Sequence, residues 1–183
     1  MGLLTFALNV TLDGCYDHRE GIADEEMHRW WTTLMDTAGA MLFGRVTYEL
    51  MEDAWPQVAR DPAARESDRD WAVKLEAKPK YVVSTTRRDF PWNNTHHVEG
   101  DLAQAVRALK QATPRGVLVG SPRLSAELQR LDLVDEYRFV VHPVVAGHGP
   151  YLLSGLQPSL RLKLVDSTPL ESGIVALHYR RLT

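Results

Sequence analysis

Gly116-Val117-Leu118-Val119-Gly120-Ser121-Pro122-Arg123-Leu124, continuing to Leu133-Val134-Asp135-Glu136-Tyr137 and on to His142, is the stretch that decides the fold. Gly116 to Val119 is a short apolar strand, and Gly120 is the turn that ends it. Ser121 is placed to cap a helix and Pro122 to be its first residue, so Ser121 to Leu131 reads as a helix. Val134 to His142 then returns as a strand with alternating charge at its start. Strand, tight turn, helix and strand in one short run predict a parallel βαβ unit.

Upstream, Leu3 to Thr11 is almost uninterrupted in apolarity, as suits a central strand covered on both faces. Asp13-Gly14 ends it. Asp24, followed by Glu25 and Glu26, starts a helix whose apolar face is Met27, Trp30, Trp31, Leu34 and Met35. Ala40 to Phe43 is a second buried strand, stopped by Gly44, and Arg45 to Glu52 reads as a short helix. Pro56 to Arg69 is polar and irregular, an insertion or lid, with a modest helix towards Leu75. Lys80 to Ser84 is a third strand, followed by the polar turn Thr85-Thr86-Arg87-Arg88. Asp101 opens a helix through Val106 and Leu109. Leu160 to Ser167 and Ile174 to Arg181 alternate as an antiparallel hairpin. The alternation predicts one α/β domain over residues 1–183, with a mainly parallel sheet between helices and a mixed edge.

Composition narrows the function. The chain has 183 residues, 44% hydrophobic and 25% charged, with a net charge of −3, which gives no basic footprint for nucleic acid. The single cysteine, Cys15, excludes an intramolecular disulfide and a Cys-based zinc cluster, and fits a reducing cytoplasm. No targeting or membrane-spanning segment is legible.

Ligands of open α/β sheets settle beyond the carboxyl ends of strands, and three strand ends carry suggestive residues. Gly120-Ser121 would let a backbone approach a phosphate at a helix start. Gly44-Arg45-Val46-Thr47 puts a cation and a hydroxyl in a first helical turn, where an Arg opposes the dipole unless an anion binds. Ser84-Thr85-Thr86-Arg87-Arg88 could hold a phosphate monoester. For each, a plain capped helix or a solvated loop is the competing explanation, and their recurrence is what favours a ligand.

Together with Thr11-Leu12-Asp13-Gly14, with Leu124, and above all with His142-Pro143-Val144-Val145-Ala146-Gly147-His148-Gly149, these residues resemble the dihydrofolate-reductase-like superfamily. The likeness is to stand-alone proteins similar to the C-terminal reductase domain of the bifunctional riboflavin biosynthesis deaminase/reductase, and it runs from Leu3 to about Leu153. It implies a three-layer fold with a central mixed sheet and an NADPH-dependent activity like that of the 5-amino-6-(5-phosphoribosylamino)uracil reductase. It implies that Gly44, Arg45 and Thr47 meet the cofactor's phosphates. Ser84, Thr85, Thr86 and Arg87 would meet the adenosine 2′-phosphate. Gly120, Ser121 and Leu124 would lie on the pyrophosphate and nicotinamide side, near the Ala7 backbone. It also implies a homodimer, with the Val134 to His142 strand and its following loop as contact surfaces. The deaminase ligands are missing.

Asp13 is the candidate for substrate contact or proton relay, with turn chemistry beside Gly14 as its other role. Asp135 and Glu136 point to opposite faces of a strand and cannot act as a pair. His96-His97, placed in a loop, has no metal partner at ligand spacing. A second class stays open: a non-catalytic nucleotide-binding or interaction protein that keeps the fold, because Ser121 stands where a second glycine would leave more room.

Overall fold

The computed structural model describes residues 1–154 and 159–182. Among these residues eight strands form one sheet: β1 (Leu4–Thr11), β2 (Ala40–Gly44), β3 (Lys80–Val83), β4 (Thr95–Val98), β5 (Val117–Val119), β6 (Glu136–His142), β7 (Leu162–Pro169) and β8 (Val175–Arg181). Their order is β4-β3-β2-β5-β1-β6-β8-β7. The first six are parallel, and β8 and β7 add antiparallel at the β6 side. Five α-helices lie among the described residues: α1 (Glu25–Thr37), α2 (Arg45–Arg60), α3 (Glu66–Ala77), α4 (Leu102–Ala112) and α5 (Pro122–Arg130).

The apolar runs follow from this layering. Successive side chains of a strand leave by opposite faces, so a strand covered twice is apolar at most positions. Phe6, Leu42, Val117 and Val119 pack with Val106, Leu109, Leu124 and Leu128 of α4 and α5. Their neighbours Ala7, Met41, Phe43 and Leu118 pack with Leu34, Met35, Tyr48, Trp71 and Leu75 of α1, α2 and α3. The result is the three-layer, dihydrofolate-reductase-like sandwich with its C-terminal hairpin.

Three local expectations change. Helix α2 does not end near Glu52 but runs through Pro56 to Arg60. Proline removes one ladder bond, yet Trp55 rests edge-on against Trp71 of α3 at 6.0 Å, and that packing carries the helix onward. The segment from Pro56 to Arg69 is therefore the last turn of α2, a turn at Asp61–Ala64 and the start of α3, not an irregular lid. His96 and His97 lie on the edge strand β4, paired with Tyr81 and Val82, not in a loop. An edge strand needs no apolar alternation, so its sequence is quiet.

Asp135 and Glu136 part as strand geometry requires. Asp135 accepts from the Leu4 N–H at 2.6 Å and meets the buried Lys110 ammonium at 2.6 Å. Glu136, on the other face, receives Arg180 Nε at 2.6 Å and lies 3.3 Å from His178 Nε2. Both are structural.

Candidate functional site

The parallel strands all end on one side, which brings Gly44, Val83, Gly120 and Thr11 to a common rim. Two helices start at the middle of that rim, and their starts differ from those of α1 and α4. Asp24 caps α1 by accepting from the Met27 N–H at 2.7 Å, and Asp101 caps α4 by accepting from the Gln104 N–H at 2.9 Å. Gly44 and Ser121, at the cap positions of α2 and α5, make no such bond. Free N–H groups and the positive ends of two dipoles thus converge beside β2 and β5.

Ser121 does not cap its own helix. Its hydroxyl instead accepts from the Gly44 N–H at 2.9 Å and ties the two helix starts together. A side chain at Gly44 would meet Leu124 Cβ at 3.6 Å and Ser121 Cβ at 3.7 Å, so Leu124 is the buried floor under this turn and does not face outward.

Val117 N–H donates to the Leu3 carbonyl at 2.8 Å, and alternation turns Thr5 and Ala7 to the same edge of β1. Strand β5 stops at Val119, opposite Phe6, which leaves the Ala7 carbonyl beyond the ladder. A Cβ added at Gly120 would lie 3.5 Å from that carbonyl oxygen. Two residues further, Asn9 Oδ1 accepts from Trp31 Nε1 at 2.9 Å, which fixes Trp31 against the end of β1.

On the other flank, Ser84 Oγ accepts from the N–H groups of Thr86 (3.2 Å) and Arg87 (2.9 Å), folding the loop after β3 into a tight turn. Thr85 and Thr86 are exposed and Thr47 is half-buried. A hollow of about 300 Å³ lies between β3, β4 and α4, walled by Tyr81, Val98, Val106 and Leu109. Arg45 is paired with Glu49 at 2.8 Å. Arg87 is held by Glu52 through two bonds, at 2.8 and 3.1 Å. The i,i+4 spacing of Arg45 and Glu49 was visible in the sequence, but the Glu52 contact crosses 35 residues and was not.

Asp13 sits at the end of β1, where its carboxylate accepts from the Thr11 hydroxyl and from the N–H groups of Ala146 (3.1 Å) and Gly147 (2.9 Å). The Thr11 hydroxyl and these amides lower its pKa to about 2. It is ionised at neutral pH and clasps two loops 133 residues apart. Cys15 is buried in the same seam. His142, buried at the end of β6, accepts from the Ile22 N–H at 3.0 Å, and burial lowers its pKa. Among the described residues no cluster of three or more His, Cys, Asp or Glu could hold a metal ion, and no helix is long and apolar enough to cross a membrane.

Comparison with known proteins bears on the family and the fold. A family model described as the RibD C-terminal domain matches residues 3–176. The uncharacterized protein YyaP of Bacillus subtilis strain 168 is 28% identical over 178 residues, covering 94% of this chain and 91% of YyaP. A structure from Shewanella sp. PV-4, provisionally named for riboflavin biosynthesis, superposes with a TM-score of 0.74 at 19% identity, over 99% of both chains. The Thermotoga maritima diaminohydroxyphosphoribosylaminopyrimidine deaminase/5-amino-6-(5-phosphoribosylamino)uracil reductase superposes at 0.68 with 19% identity, over 99% of this chain and 57% of that one. Dihydrofolate reductase from Enterococcus faecalis, complexed with NADP(H), superposes at 0.63 with 13% identity, over 100% and 98%.

Proposed function

Since the chain belongs to the RibD C-terminal domain family, we propose that it is a reductase that takes a hydride from a nicotinamide dinucleotide, NADPH in the first instance. One observation carries the reading: the uncapped starts of α2 and α5 converge where Gly120 leaves a gap beside the free Ala7 carbonyl. The gap leaves room for a pyrophosphate and the free amides offer it donors. Gly44, Arg45, Thr47, Gly120 and Ser121 would hold that group, and the Ala7 carbonyl would accept from a carboxamide on the β1 side. Ser84, Thr85, Thr86 and Arg87 would lie along the other arm. The dinucleotide, when bound, supplies the hydride.

The rest falls to the protein. Trp31 and Asn9 bound the space next to the Ala7 carbonyl, where a small heterocyclic or sugar-linked substrate such as a phosphoribosylaminopyrimidine would lie. Asp13 holds the 146–147 loop against the end of β1 and stays ionised, so the proton comes from solvent or substrate. Titrating NADPH and NADH against tryptophan fluorescence tests this. We expect saturable quenching with a Kd on the order of micromolar, and no binding of either up to about millimolar would end the proposal.

A non-catalytic dinucleotide-binding protein of the same fold is favoured by one observation, the low pKa of Asp13 together with its full set of bonds. NADPH oxidation on addition of a substrate separates the two readings.

We also take the protein to form a homodimer. Strand β6 lies inside the sheet, so any contact must use its face, not an edge. On that face Leu8, Phe139 and Tyr179 are only partly buried, and Leu164 of the neighbouring edge strand is 50% exposed. A half-covered apolar face of this kind suits a second copy of the chain. Light scattering at micromolar concentration should give twice the chain mass, and Leu164→Lys should return it to one chain mass; a wild-type monomer refutes the pairing.

A further inference from the structure

A dinucleotide whose pyrophosphate crosses the starts of α2 and α5 has two arms, and the sheet order fixes where they go. One reaches β1, on the far side of β5. The other must pass β2 towards β3, where its ribose meets the Ser84–Arg88 turn and the first two turns of α2. NADPH and NADH differ at that ribose by one phosphate on the 2′-oxygen. A 2′-phosphate calls for an uncommitted guanidinium, whereas a 2′-hydroxyl is served by a carboxylate acceptor.

The two half-buried arginines there, Arg45 and Arg87, are committed. Arg87 Nη1 and Nη2 donate to Glu52 at 2.8 and 3.1 Å, Nη1 is also 3.6 Å from Glu49, and Nε donates to the Asp89 carbonyl at 2.7 Å. Its guanidinium lies 5.3 Å from the ring centres of both Tyr48 and Phe90. Tyr48, itself buried, donates to Glu52 at 2.9 Å and fixes that carboxylate from the other side. Arg45 is taken by Glu49. Arg88 reaches out to the exposed Glu99 at 3.3 Å. Arg45 and Arg87 thus face Glu49 and Glu52, and this inner cluster is neutral.

We propose that Glu52, supported by Glu49, sets the discrimination between NADPH and NADH in this chain and keeps it weak. To bond Arg87, a 2′-phosphate must break a bidentate pair and lie beside the released Glu52 carboxylate, so its gain is offset by like-charge repulsion. NADH breaks nothing, and its 2′-hydroxyl can donate to the carboxylate already in place. Glu52 and Glu49 therefore act as specificity residues, not as spectators of a surface ion pair.

The inference rests on the dinucleotide reading above, and direct binding separates the two. Dissociation constants for NADPH and NADH are measured by tryptophan fluorescence for wild type, Glu52→Gln and Glu49→Gln, at low and high salt. Wild type should favour NADPH by less than about tenfold. Glu52→Gln should tighten NADPH by about fivefold or more while moving NADH by less than about twofold. The gained affinity should fall with salt, since the released cation is exposed to screening. Glu49→Gln should shift NADPH the same way by less, and it serves if Glu52→Gln misfolds. A wild-type preference for NADPH beyond about a hundredfold, or a ratio unmoved in a folded Glu52→Gln or Glu49→Gln protein, overturns the inference while leaving the reductase reading intact. Failure of both dinucleotides to bind wild type overturns the reading, and the inference with it.

Discussion

Lys80→Met should destabilise the protein by about 3 kcal/mol, more than a surface lysine could. Lys80 is the first residue of β3 and is fully buried. Its ammonium donates to the carbonyls of Leu75 (2.9 Å), Glu76 (2.9 Å) and Lys78 (2.8 Å) and lies 4.7 Å from the Trp92 ring centre. Those carbonyls are the unsatisfied end of α3, so the lysine is a C-terminal cap drawn in from the next strand. Methionine fills the space but leaves the acceptors orphaned.

The same site has a pH signature. Burial lowers the Lys80 pKa from 10.5 to about 8, which leaves it charged at neutral pH. The folded state then binds fewer protons than the unfolded one between those two values, so the wild type gains stability relative to Lys80→Met as pH rises through that window. Urea unfolding followed by tryptophan fluorescence at pH 7 and at about pH 9.5 reads both effects. Equal midpoints at pH 7, or a wild-type advantage that shrinks at the higher pH, would count against this account.

Gly120→Val should weaken dinucleotide binding by at least about tenfold while leaving the melting temperature nearly unchanged. Gly120 does not have a positive φ, so conformational freedom does not explain it. A single Cβ would sit at ordinary contact distance from the Ala7 carbonyl, so alanine should be nearly tolerated by the fold. Valine's two methyl groups would fill the gap between β1 and the start of α5 that the pyrophosphate is proposed to cross. Titration and melting of both variants side by side decide it. A valine variant that binds NADPH like wild type would mean that no ligand crosses there.

Much of this was legible because burial on both faces writes itself into composition. Leu3 to Thr11 and Gly116 to Val119 could only be inner strands, and the Ser121-Pro122 start of α5 was visible in two residues. Asp135 and Glu136 could be separated by strand alternation alone. What was hidden depended on contacts far apart in sequence. The continuation of α2 past Pro56 is decided by Trp71, and the position of His96 and His97 by pairing with β3. The Ser121 hydroxyl looked like a cap because local spacing suggests one, whereas the Gly44 N–H that takes it is 77 residues away. In the same way Arg87 looked free, because nothing near it in sequence announces Glu52.

The place of β1 bears on how the chain is made. Among the described residues this strand pairs only with β5 and β6, more than a hundred residues later, with Leu4 opposite Val117 and Thr5 opposite Glu136. A nascent chain therefore emerges with an apolar segment that has no partner until most of the protein has been synthesised. Contacts of such long sequence separation close slowly, because the loop entropy is lost before the pairing is gained. During that interval Leu4 to Thr11 is exposed to other chains, and cells that produce this protein quickly would need a holding factor for its N-terminal strand.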